Sequence, residues 1–194
     1  MEAHLLKQFG DIIDFCYKDE TTILMLRKLP DRPEVTVVEV DSLQQTFRNQ
    51  VCAPLFEGLG PEEARYSLLY QDKRVLLVYP NNILVAFDQD TFEVLQVVQS
   101  AFNIVCPIMV QGGHLAFVDQ SPLAAKGGPA PGDSFDSLVV VPLGNLEDLA
   151  RKKGVLSLIK TPFKAGTAHV TDIKDCQAKD QVLLLVSFSN GKVW

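Results

Sequence analysis

The side chains able to do chemistry are few and scattered. The histidines, His4, His114 and His169, stand at no ligand-like spacing from one another or from a cysteine. The cysteines, Cys16, Cys52, Cys106 and Cys176, contain no C-x-x-C pair. Each lies in or beside an apolar stretch and reads as a buried free thiol, with no metal or redox site. Carboxylates fall at polar bends (Asp19, Asp72, Asp88, Asp90, Asp133, Asp180), where an aspartate caps turn amides without acting as an acid or base. His114 follows Gly112-Gly113 and is expected at a partly exposed turn. The stretch from Gly127 to Gly132 is glycine-rich, but Pro129 and Pro131 remove donors that a phosphate cradle needs. No G-x-S-x-G, P-loop or G-x-G-x-x-G motif occurs. No catalytic, cofactor-binding or metal-ligating residue is therefore assigned, and an enzyme is not expected.

Composition sets the outer bounds. The chain has 194 residues, is 47% hydrophobic and 22% charged, and carries a net charge of −6. That is the make-up of a folding chain with a sizeable core. The negative balance argues against a nucleic-acid partner, because a phosphate backbone calls for a basic face. The first residues lack the apolar region of a signal peptide, and no apolar run approaches a membrane span. A cytoplasmic or nuclear protein, neither secreted nor membrane-spanning, is the expectation.

The elements that must position any site are short strands. Ile12–Tyr17, Thr21–Leu26 and Val35–Val40 are separated by Lys18-Asp19-Glu20 and by the breakers from Pro30 to Pro33. Tyr66–Tyr70, Val75–Tyr79, Ile83–Phe87 and Val94–Val98 predict a four-stranded antiparallel meander with a turn at Pro80-Asn81-Asn82. Ile104–Val110, His114–Val118 and Leu138–Val141 follow, then His169–Ile173 and Val182–Phe188, with a strong turn at Ser189-Asn190-Gly191. The stretches Gln44–Pro61 and Gln120–Asp136 read as loops, the second as a mobile insertion. One short helix is predicted, with Asn145 as N-cap, Glu147 and Asp148 in its first turn, Arg151-Lys152-Lys153 in its last, and Gly154 beyond it.

A unit of strand, polar bend, apolar strand, Asn-containing turn and strand recurs, beginning near Asp11, Arg65, Asn103 and His169. This rhythm resembles the WD40-like β-propellers. Asn81-Asn82 stands where that family has its Asp-Gly turn, Phe87-Asp88 falls at its aromatic-acid position, and Thr91 opens a fourth strand. Asn190-Gly191 is the same turn in the last unit, and His169 resembles the family's entry histidine. Trp194 is not the consensus tryptophan, since the aromatic position counted from Asn190 lies beyond it. No Gly-His precedes any unit and no Trp-Asp occurs, so the family's His-Asp-Ser-Trp tetrad is not assembled. A sandwich or open barrel is the alternative architecture.

The expected fold is all-β: four-stranded antiparallel blades at roughly 11–60, 65–100, 103–160 and 168–194, about three and a half blades of an incomplete ring, with one inserted helix. What the resemblance implies is a non-enzymatic scaffold for protein partners, a subunit of a larger complex that needs further blades or a partner chain to close its edges. Gln120–Asp136 and the helix at Leu146–Lys153 are the expected contact regions. The alternative is a phosphoinositide-binding propeller of membrane trafficking or autophagy. It is disfavoured by the absence of that family's Phe-Arg-Arg-Gly motif and by the negative charge.

Overall fold

The computed structural model describes residues 11–28, 33–39, 45–50, 67–71, 74–79, 81–88, 90–91, 93–120, 135–144, 146–164, 167–178 and 181–194. Among these, one turn shows how local chemistry sets the strand order. Asn82 adopts φ 63, a left-handed conformation that asparagine tolerates better than most residues. The chain therefore reverses within a few residues, with the Tyr79 N–H donating to the Ile83 carbonyl at 2.8 Å. The same reversal recurs at Gly112 (φ 83) and Gly113 (φ 73), and at Gly191 (φ 79). Turns this tight can join only antiparallel neighbours.

The chain divides into two compact units, 1–97 and 98–194. The first holds β1 (Asp11–Tyr17), β2 (Thr22–Lys28), β3 (Pro33–Glu39) and β4 (Gln45–Gln50), paired in the order β1-β2-β3-β4. A second sheet has β5 (Ser67–Gln71), β6 (Arg74–Val78), β7 (Ile83–Asp88) and β8 (Val94–Gln99), in the order β5-β6-β7-β8. Val75 to Val78 of β6 and Leu84 to Phe87 of β7 are buried in unbroken runs. Successive residues of a strand point to opposite faces, so both faces of these inner strands are covered. On one face Leu68, Val75, Leu77, Val85 and Phe87 close against Leu24 and Leu26, making a core shared by the two sheets.

In the second unit β9 (Ile104–Val110), β10 (His114–Asp119), β11 (Phe135–Pro142) and β12 (Ser157–Lys164) pair in the order β12-β11-β10-β9. The hairpin β13 (Val170–Ala178) and β14 (Gln181–Phe188) packs Val170, Ile173, Val186 and Phe188 against Val118 and Leu138. Beyond the Gly191 turn the chain pairs back, Trp194 and Val186 exchanging two main-chain hydrogen bonds of 2.9 Å.

The all-β expectation of four-stranded antiparallel blades therefore holds, with three corrections. Part of the expected loop Gln44–Pro61 is the strand β4, whose sequence Gln-Thr-Phe-Arg-Asn-Gln lacks the apolar alternation that would reveal it. At the far end of the 120–136 loop, Phe135 and Asp136 already belong to β11, and residues 121–134 lie outside the described residues. The helix, α1 (Glu147–Ala150), is shorter than expected. Its N-cap is Leu146, Asn145 lies outside the described residues, and no basic residue sits in its last turn. It ends early because Lys152 swings into the left-handed region at φ 50, and Gly154 follows at φ 65.

Candidate functional site

The first strands of two sheets, β1 and β9, carry bulges, and the bulges aim side chains. In β1 the register slips between Ile12 and Asp14. Asp14 then points across to β5, where Oδ2 accepts the Leu68 N–H at 2.8 Å, while Oδ1 accepts the Phe15 N–H at 2.8 Å. Burial raises the Asp14 pKa, and these two hydrogen bonds oppose the rise. In β9, Cys106 and Pro107 together oppose Phe117. The bulge accommodates the missing N–H of Pro107 and holds Cys106 at φ 49. The Cys106 thiol reaches the Val170 carbonyl of β13 at 3.9 Å. In each unit a bulged first strand thus touches the first strand of the next sheet.

Turn carboxylates behave as capping groups. Asp88 Oδ1 accepts the N–H groups of Asp90 (2.9 Å) and Thr91 (2.8 Å), which hold its pKa below the usual range. Asp19 does the same for Thr21, with the same consequence. Asp90 lies 3.8 Å from Lys18. Asp72, Asp133 and Asp180 lie outside the described residues.

Of the histidines, His4 is outside the described residues. His114 stacks its ring close to Gly112 and holds the Gln111 carbonyl at 3.3 Å, as a turn residue does. His169 is pinned through its main chain, the Ser189 N–H reaching its carbonyl at 2.9 Å. The thiols are mixed: Cys16 and Cys106 are half-buried, Cys176 is exposed on β13, and Cys52 lies outside the described residues. The expectation of buried thiols fails for Cys176, because the distal part of β13 is exposed on both faces.

Two buried carboxylates gave no signal in the sequence. Asp119 ends β10 with its side chain 8% exposed; Oδ1 accepts the Asn103 N–H at 2.9 Å and Oδ2 lies 3.6 Å from Lys152 Nζ. The same ammonium sits 4.8 Å above the Phe102 ring. Asp136 on β11 has its pKa raised by burial and by Asp119, with a Gln120 hydrogen bond and His169 pulling the other way. These groups fix strand ends. Among the described residues no cluster of three His, Cys, Asp or Glu could hold a metal ion. No helix among them is long and apolar enough to cross a membrane.

What the described surface does offer is apolar side chains on outer strands. Val94, Leu95 and Val97 of β8 are exposed, as are Leu158 and Ile159 of β12 with Leu156 just before it. Val182, Leu183 and Leu185 are exposed on β14.

No protein-family model and no curated protein matches the sequence. Solved structures do match. The BBS1N chain, crystallised in complex with ARL6DN, aligns with TM-score 0.51 at 13% identity, over 89% of this chain and 41% of that one. The WD40 β-propeller domain of Doa1 aligns with TM-score 0.51 at 11% identity, over 94% and 49%. The computationally designed Ika8 protein gives 0.50 at 12%, over 94% and 44%. The chain spans less than half the length of each of these three. The likeness is one of fold: the four-stranded antiparallel sheets are like the blades of WD40 β-propellers.

Proposed function

We propose that this chain, with the blades of a WD40-like propeller, serves as a non-enzymatic scaffold for protein partners within a larger complex. Each four-stranded sheet is read as one blade, the units running roughly 11–60, 65–100 and 103–160, with 168–194 as a further one. The observation that carries the reading is the pairing of inner strands that hold an unbroken buried run with outer strands that expose apolar side chains, as β7 and β8 do. The inner strands make the frame rigid, and the outer ones present surface that costs solubility unless something uses it. The half-buried Asp14 and the buried Asp119 are engaged in holding strands together, which supports a role other than catalysis. The phosphoinositide alternative draws on the likeness of Arg74 to Gln99, with Phe87-Asp88 and Thr91, to blades of that family; the basic run Arg151-Lys152-Lys153 adds little to it, since Lys152 is turned toward Asp119.

The test is chemical cross-linking of the chain in a cell extract, followed by purification and mass spectrometry. A scaffold yields partners at near-stoichiometric amounts whose cross-links map to outer strands or to residues 120–136. Recovery of the chain alone, across several extracts, would count against the reading.

A further inference from the structure

Among the described residues the hairpin of β13 and β14 is a two-stranded sheet, where the other sheets have four strands. Its inner half is anchored, with Val170, Ile173, Val186 and Phe188 packed against Val118 and Leu138. Its outer half, residues 174–178 and 181–185, is exposed apart from the half-buried Leu184. Yet β14 reads Val182-Leu183-Leu184-Leu185-Val186, an unbroken apolar run of the kind that lies buried in β6 and β7. Val182, Leu183 and Leu185 are 40%, 44% and 44% exposed. A two-stranded ribbon is marginal in water, and such a run calls for further strands.

Hydrogen bonds fix which groups of β14 are open. Val186 turns its N–H and carbonyl away from β13 and exchanges both with Trp194, and the Phe188 N–H goes the same way to the Lys192 carbonyl. The register with β13 is regular from Asp172 opposite Ser187 to Ala178 opposite Gln181. Main-chain direction alternates along a strand, so Leu184 and Val182 also present their N–H and carbonyl outward. Among the described residues nothing pairs with them from that side. The open stretch is residues 181–185, bounded by the start of β14 at Gln181 and by Trp194 opposite Val186.

A second copy of the same stretch complements it. Run antiparallel about a two-fold axis at Leu183, Val182 of one copy lies opposite Leu184 of the other, and each such pair exchanges hydrogen bonds between groups that already face outward. Leu183 meets its own copy, and Gln181 meets Leu185. No charged residue lies between Gln181 and Ser189, so no like charges come opposite one another in a chain of net charge −6. The nearest charges of the regular pairing lie a strand away on β13, where Lys174 is 3.6 Å from Asp172. Moving the axis to Leu184 would set the copy's Val182 against Val186, which Trp194 already holds. The two hairpins together make a four-stranded antiparallel sheet, the size of the others.

We infer that the open edge of β14 is a self-association site, at which two copies of this chain pair through residues 181–185 with Leu183 on the two-fold axis. The inference stands apart from the scaffold reading, since partners cross-linked to a monomeric variant leave that reading intact.

The test is sedimentation velocity of the 194-residue chain over about 1–100 μM. A reversible dimer is expected. Leu183→Lys and Leu183→Glu each set like charges face to face on the axis, and each should weaken dimerisation about tenfold or more. Mixed in equal amounts, the two variants should dimerise again, a rescue that needs residue 183 to meet its own copy. Val182→Pro removes an N–H that faces only the copy, so it should give a folded monomer, and it serves should the charge variants fail to fold. Thermal melts check folding. A parent chain that is monomeric throughout overturns the inference, whether or not vesicles or other proteins then bind the edge. So does a dimer that Leu183→Lys leaves intact, or folded charge variants that stay monomeric when mixed.

Discussion

The Asp14 carboxylate accepts the Leu68 N–H at 2.8 Å, joining the first strand of one sheet to the first strand of the next. Replacing Asp14 with Ala strands that amide and is expected to cost about 1–2 kcal/mol, read as a fall in Tm. Asn keeps one acceptor oxygen and should cost less. Because burial raises the Asp14 pKa, the folded state holds the proton to higher pH than the unfolded chain does. The contribution is full below the unfolded value near 3.8 and is lost as pH rises through the raised folded value. The Tm of Asp14→Asn should therefore gain on the parent as pH climbs out of the acid range. A constant difference from acid to neutral pH would contradict this.

Lys152 holds three roles at once, at φ 50, 3.6 Å from Asp119 and above the Phe102 ring. Its ammonium is partly exposed, which moderates the ion pair, so Lys152→Met should cost about 1 kcal/mol. Combined with Asp119→Asn the losses should be sub-additive, with a coupling of about 0.5–2 kcal/mol in a double-mutant cycle. Strict additivity would separate the two residues energetically.

Phe87 fills the core between Leu24, Leu26 and the inner strands and is 2% exposed. Truncation to Ala should cost about 3–5 kcal/mol. Trp, the residue common at this position in WD40 blades, should cost about 1–3 kcal/mol here because no space is left for the larger ring. Chemical denaturation of the two variants checks both values.

Cys16 has its thiol pushed up to about 12, by burial first and then by the Asp14 charge. Native alkylation near pH 8 should label Cys176, which is exposed, well before Cys16, and denaturant should bring Cys16 into reaction. Peptide mapping distinguishes the two sites. Fast labelling of Cys16 in the native chain would refute the burial argument.

Inner strands were legible because burial on both faces demands uninterrupted apolar residues, as in Val75–Val78 and Leu84–Phe87. Asn82, Gly112, Gly113 and Gly191 were legible because few residues accept positive φ. The polar strand β4 and the mixed β12 were hidden, since an outer strand answers to main-chain pairing more than to side-chain burial. Asp14 and Asp119 were hidden for a different reason. Nothing in Ile-Asp-Phe or Val-Asp-Gln says that a bulge or a strand end will carry that carboxylate inside. The Arg151–Lys153 run was visible, but its helical placement was wrong, because Lys152 answers to a carboxylate that is distant in sequence.

Each sheet consists of strands that are consecutive in the chain, β1 to β4, β5 to β8, β9 to β12, and β13 with β14. Every hairpin can close without waiting for a distant segment, so the loop entropy spent before the first contacts form is small. A lesion inside one meander leaves the pairing partners of the others intact. Hydrogen exchange on the Phe87→Ala chain should accordingly show protection lost first in β5 to β8, with the β9–β12 amides following at higher free energy. Main-chain pairing is thus partitioned sheet by sheet, even where two sheets share a core, as those of Leu24 and Phe87 do.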